Sequence, residues 1–148
     1  MLESARSRWR SPAMFTLQQI VDAPPTEVVR AFTEPEPFAA WFVAEGFSTP
    51  SDRVTLDVRP GGQISAVFVA ADGTEVPFTL RFGDLDLPHH LVLHFDQPAE
   101  EITVDLTALA DGRTRLDYRS VGLSDEQQVP IEPGVATMLG HLAAYFTQ

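Results

Sequence analysis

The sequence predicts an α+β domain in which helices cover one face of an antiparallel sheet. Three observations carry that prediction. About six segments between Val54 and Val121 read as strands, joined by the turn signals Pro60-Gly61-Gly62, Asp72-Gly73 and Asp111-Gly112. Two short helical stretches follow a first strand and precede these six. Val135, Leu139, Leu142 and Phe146 fall at i, i+4, i+7 and i+11, one continuous apolar stripe on a long C-terminal helix. Helices segregated from a run of antiparallel strands define the α+β class.

Phe15 to Asp22 reads as the first strand, with loose alternation around Phe15, Leu17 and Ile20. Pro24 and Pro25 stop it. Proline fits a first helical turn, whose amides lack intrahelical partners anyway, and Glu27 complements the positive end of the helix dipole. Val28, Ala31 and Phe32 then share one face of a short helix that Pro35 ends, and Pro37 opens a second, Phe38 to Phe42. Gly46 to Arg53 reads as a loop and Val54 to Val58 as a strand. Ile64, Ala66, Phe68 and Ala70 alternate, as do Val76, Phe78, Leu80 and Phe82 across the Asp72-Gly73 hairpin. Leu91, Leu93 and Phe95 mark the next strand, and Ile102, Val104, Leu106 and Ala108 the one after. On Thr114 to Val121, Leu116 and Tyr118 face inward, while Asp117 and Arg119 face outward as a solvated pair. Pro133 and Gly134 mark the start of the last helix. A sheet covered on one face can curl around that helix and leave a cavity between them.

Composition narrows the function. A chain of 148 residues makes one domain, expected over residues 14–148 behind a tail of residues 1–13 that holds Arg6, Arg8 and Arg10; Met14 is an alternative start. With no Cys there are no disulfides, thiol nucleophiles, zinc fingers or iron–sulfur sites. All ten basic residues are Arg, which removes lysine Schiff-base chemistry and the P-loop lysine. Twenty-one acidic residues give a net charge of −11, so phosphate-backbone contacts with nucleic acid are not expected. No segment approaches the ~18 apolar residues of a membrane helix, and a cytoplasmic protein without membrane insertion is expected. A homodimer stays open.

Several residues in order resemble a known family. Ala23-Pro24-Pro25 with Val28, Phe32 and Trp41-Phe42 resembles the opening motif of bacterial proteins similar to the activator of the 90-kDa heat-shock-protein ATPase. Pro60-Gly61-Gly62, Asp72-Gly73, Pro88 with Leu91-Val92, Gly112 with Thr114-Arg115-Leu116, and the C-terminal Gly134, Leu139 and Leu142 continue the match over roughly residues 14–147. The chain departs from the pattern at Val135, where the family usually carries Trp. The resemblance implies the helix-grip fold of the START/SRPBCC superfamily: a curved sheet wrapped around the C-terminal helix, with a hydrophobic cavity. Members of that superfamily bind lipids, hormones and polyketides, and some are cyclases or dehydratases.

The residues themselves point away from metal and hydrolytic chemistry. His90 and His94 share a strand face but stand about 13 Å apart, too far for one ion with nitrogens at ~2.0 Å. His89 points to the other face and His141 is remote in sequence, so no metal or other cofactor is expected. Asp84 and Asp86 read as turn residues before Pro88, where aspartate bonds its own backbone. No Gly-x-Ser-x-Gly elbow surrounds a serine, and no helix follows Gly61-Gly62 to make a phosphate loop. The aromatics are more informative. Trp41, Phe42 and Phe47 precede the sheet, and Phe68, Phe78, Leu80, Leu93, Phe95, Leu106 and Tyr118 occupy its inner face; a packed core and a cavity lining both fit them. Met138, His141, Leu142 and Tyr145 complete the candidate lining from the last helix. The expected function is binding of a small hydrophobic or aromatic ligand, with no catalytic residue assigned. The alternatives are a cyclase or dehydratase using His141 or Tyr118 for proton transfer, and a chaperone-interacting module working through its surface.

Overall fold

The computed structural model describes residues 14–147; the tail expected over residues 1–13 lies outside them. Strand β1 (Met14–Val21) leads into three short helices, α1 (Pro25–Val28), α2 (Arg30–Thr33) and α3 (Pro35–Trp41). Strands β2 (Phe47–Ser48), β3 (Thr55–Leu56), β4 (Gln63–Ala70), β5 (Glu75–Asp86), β6 (His90–Asp96), β7 (Ala99–Ala108) and β8 (Thr114–Val121) follow, and helix α4 (Asp125–Tyr145) ends the described chain. The sheet runs β1-β8-β7-β6-β5-β4-β2, with β3 also against β4. Every pairing is antiparallel. The curved sheet wraps around α4, which also packs on α3 and β1.

The helical face expected at Val28, Ala31 and Phe32 is there, and all three are buried. One helix becomes two turns because the pattern breaks at Val29, although its backbone stays right-handed. Ile64, Leu80, Phe82, Leu91, Leu93, Ile102, Val104, Leu106 and Leu116 form the sheet side of the core, and Val135, Leu139 and Leu142 meet them from α4. Burial of such side chains is worth about 1.5–3 kcal/mol each, so this contact holds the layers together.

The structure corrects several expectations. Helix α4 begins at Asp125, well ahead of Pro133 and Gly134, because Ser124 and Gln127 form a capping box. The Gln127 amide donates to Ser124 Oγ at 3.1 Å, and the Ser124 amide donates to Gln127 Oε1 at 2.8 Å. Pro130 and Pro133 lie inside the helix, where their rings withhold bonds from the carbonyls four residues back. Ile20 is 40% exposed, since Phe15, Leu17 and Val21 hold the inward parity and Ile20 does not. Val76, at 44%, and Ala108 are exposed near strand ends. The strand expected over Val54–Val58 shrinks to β3, and the expected loop Gly46–Arg53 holds β2 and a 3-10 turn, Ser51–Arg53.

Asp84 and Asp86 lie on β5 rather than in a turn. The strand continues past Phe82 through a register shift between Phe82 and Leu85. Gly83 permits it, because a Cβ there would stand 2.8 Å from His94 Nε2 and 3.0 Å from Val92 Cγ1. Asp117 pairs with Arg115 at 3.0 Å, not with Arg119.

Candidate functional site

A cavity of about 910 Å³ opens between one face of α4 and the sheet. Five strands each contribute one residue to it: Phe47 from β2, Phe68 from β4, Phe95 from β6, Glu100 from β7 and Tyr118 from β8. Helix α4 contributes Pro130, Ile131, Gly134, Val135, Thr137, Met138 and His141. The segment Phe42 to Phe47 and the turn residues Gln97 and Pro98 close the rim. The cavity exists because α4 is thin on this face. Gly134 has no side chain, and a Cβ built there would meet no heavy atom within 4 Å. On the adjoining face of α4, Leu139 and Leu142 are fully buried against the sheet.

The aromatic wall is a stack centred on Phe42. Its ring lies 5.4 Å from Phe78, 6.3 Å from Phe68 and 6.4 Å from Phe95, all in stacked geometry, and Phe68 lies 4.2 Å from Phe78. Such pairs add about 0.5–1.5 kcal/mol each beyond burial, which makes the wall stiff. Behind it, Trp41 donates its indole N–H to the Ala31 carbonyl at 2.7 Å and packs edge-on against Phe32 and Phe42.

Of the fourteen residues expected to line a cavity, the structure brings Phe42, Phe47, Phe68, Phe95, Tyr118, Met138 and His141 to it. Phe78 stands one layer back, against Phe42 and Phe68. Trp41, Leu80, Leu93, Leu106 and Leu142 are buried in the close-packed core instead. Tyr145 sits at the C-terminal end of α4, its hydroxyl 3.5 Å from Glu36 Oε1 beside α3. Inward parity alone does not separate these groups. Helix face does, because α4 meets open space along Ile131, Gly134, Met138 and His141 and packs closely along Leu139 and Leu142.

Glu100 is the residue that sequence reasoning missed. Glu100 lies two residues ahead of Ile102, the first residue assigned to that strand from the sequence, yet it shares the inward parity of Ile102, Val104 and Leu106 and is only 8% exposed. Counting back by two from Ile102 was the available signal. Ser120 donates its hydroxyl to Glu100 Oε2 at 2.6 Å. Burial raises the Glu100 pKa from its ordinary value, and the Ser120 bond offsets part of that rise. Tyr118 is 4% exposed. Burial, and secondarily the charge of Glu100, push its hydroxyl pKa far above the ordinary range. Among the described residues no fully buried side-chain nitrogen or oxygen lacks a partner. The Tyr118 hydroxyl, which takes part in no hydrogen bond there, therefore opens on the cavity.

The histidines expected to be surface or rim residues have separate surroundings. His90 Nδ1 shares a hydrogen bond with Asp105 at 2.7 Å, His89 Nδ1 lies 3.3 Å from the Leu106 carbonyl, and His141 reaches the cavity rim. No group of three or more His, Asp or Glu among the described residues could hold a metal ion. No helix there is long and apolar enough to cross a membrane.

An antiparallel sheet wrapped around a C-terminal helix, with short helices after the first strand, makes this a helix-grip protein of the SRPBCC superfamily. Residues 22–147 match the family described as activator of Hsp90 ATPase homolog 1-like protein, and the chain belongs to that family. Solved structures agree. A protein of Chromobacterium violaceum is 29% identical with a TM-score of 0.78, over 93% of this chain and 99% of that one. A Nitrosomonas europaea protein is 22% identical with a TM-score of 0.80, over 91% and 94%. An AHSA1 protein of Silicibacter pomeroyi is 20% identical with a TM-score of 0.74, over 91% and 98%. The last two likenesses are of fold alone. No curated protein matches the chain significantly.

Proposed function

We propose that the chain binds a small hydrophobic or aromatic molecule in the cavity between α4 and the sheet. One observation carries the reading: a space of about 910 Å³ with a stacked aromatic wall also receives the Tyr118 hydroxyl, which opens on it and makes no hydrogen bond within the described residues. Ligand sites have this make-up, mostly apolar walls with a few convergent polar groups that fix orientation. Met138 supplies an adaptable side chain at the edge.

Met138→Phe tests the reading. In a close-packed interior the enlargement costs about 1–3 kcal/mol through strain; beside a cavity the ring enters open volume and costs little. The same variant should weaken uptake of a hydrophobic fluorescent probe. Strong destabilisation, together with no probe uptake by the parent protein, would overturn the proposal. Native mass spectrometry of protein from its own host would then identify any retained small molecule.

Catalysis of the cyclase or dehydratase type is the second reading, favoured by Glu100 and Tyr118 sharing one cavity with His141 at its rim. Against it, burial disfavours the ionised form of the Tyr118 hydroxyl, the form a base would need. A surface-working module of the kind the family's description names has less support. The exposed large apolar residues among those described, such as Ile20, Val76, Leu87 and Val129, lie on separate elements.

A further inference from the structure

The one buried charged group of the cavity is an acid. Glu100 reaches the cavity as a carboxylate whose one protein partner is the Ser120 hydroxyl, and Glu45 adds a second carboxylate at the mouth. No arginine lines it, and the chain has no lysine. Six arginines instead pair with carboxylates elsewhere: Arg30, Arg53, Arg59, Arg81, Arg113 and Arg115. The one side chain in the wall able to carry positive charge, His141, is exposed at the rim. A bound carboxylate or phosphate would therefore face Glu100 with no buried cation to receive it.

We propose that the cavity selects hydrophobic amines, the ligand's ammonium group resting against the Glu100 carboxylate and the Tyr118 hydroxyl and its apolar body against Phe42, Phe68 and Phe95. An ammonium carries three donors and no acceptor. Glu100 and the Tyr118 hydroxyl offer acceptor atoms beside the same space, and Tyr118 has no other partner. Burial already disfavours the Glu100 charge, and a paired cation restores it. The inference rests on the binding reading above and names its ligand class.

Three probes of similar shape test it by calorimetry on the full chain at neutral pH and low salt: naphthylethylamine, naphthylethanol and naphthylacetate. The amine should bind about ten-fold or more tightly than the alcohol, the gain of one charged hydrogen bond, with the carboxylate weakest. Glu100→Gln should bring the amine down to the alcohol's affinity and leave the alcohol nearly unchanged. Tyr118→Phe should weaken the amine by a smaller factor, and it serves as the test variant if Glu100→Gln does not fold. Equal binding of amine and alcohol, or tightest binding of the carboxylate, overturns the amine preference while ligand binding itself stands. Binding of none of the three by the parent protein removes the cavity reading and the preference with it.

Discussion

Replacing Gly134 by alanine should stabilise this protein, and the magnitude follows from its position. Glycine inside a helix costs roughly 0.5–1 kcal/mol relative to alanine, because it loses more backbone freedom on folding. Natural glycines often offset that cost with a close approach that a Cβ would block. Gly134 has none: a Cβ there meets nothing within 4 Å, and neither does one at Gly140 on the same helix. Gly134→Ala and Gly140→Ala should each gain up to about 1 kcal/mol, raising Tm by about 3–4 °C in a chain of this size. The two positions are about 9 Å apart along the helix, so the double variant should add the gains to within about 0.5 kcal/mol. Leucine at the two positions then separates them. Gly134→Leu puts its side chain into the cavity and should displace a hydrophobic probe, whereas Gly140→Leu should leave probe affinity unchanged. Urea unfolding with an unchanged m-value, paired with probe titration, measures both effects. A loss of more than about 1 kcal/mol in Gly134→Ala, or unchanged probe affinity in Gly134→Leu, would refute the claim that this face of α4 is open.

Leu142→Ala, in the filled part of the same interface, should cost about 2–5 kcal/mol by denaturant unfolding, because Leu142 is fully buried against the sheet. Ser124→Ala should cost about 1 kcal/mol by removing the capping box of α4, and Ser124→Asn should restore most of it. Glu100→Gln should change the pH dependence of stability. The folded carboxyl binds its proton more tightly than the unfolded one, whose ordinary value is 4.5, so its contribution is complete below that value and is lost as pH rises through the raised folded value. The stability of Glu100→Gln relative to the parent should therefore improve from acid to neutral pH; a flat difference would show that Glu100 is well solvated. With the probe test of Met138→Phe, these measurements cover both halves of α4.

Much of the architecture was legible because local chemistry and tertiary demand agree along most of the chain. Period-two alternation located β4 to β8, since a strand with one buried face must alternate. The stripe Val135, Leu139, Leu142 and Phe146 located α4 and its buried face, Phe146 remaining partly exposed at the end. The motif order that resembles one family agreed with the match over residues 22–147. The start of α4 was also written in the sequence, as Ser124 with Gln127 three residues on, but two prolines inside the helix masked it.

The site was legible only by half. The sequence determined which side chains face inward: Phe68, Leu80, Leu93, Phe95, Leu106 and Tyr118 all share that property, and nothing local distinguishes them. Tertiary structure alone decided which of them meet helix atoms and which meet open space, because that depends on where α4 crosses the sheet and on where along it Gly134 removes bulk. Glu100 shows the same limit. Its parity is local, but the burial of its carboxylate, the Ser120 hydroxyl against it and the missing arginine depend on chain segments far apart in sequence. Periodicity sets the direction of a side chain; only the packing of distant elements sets what it meets there.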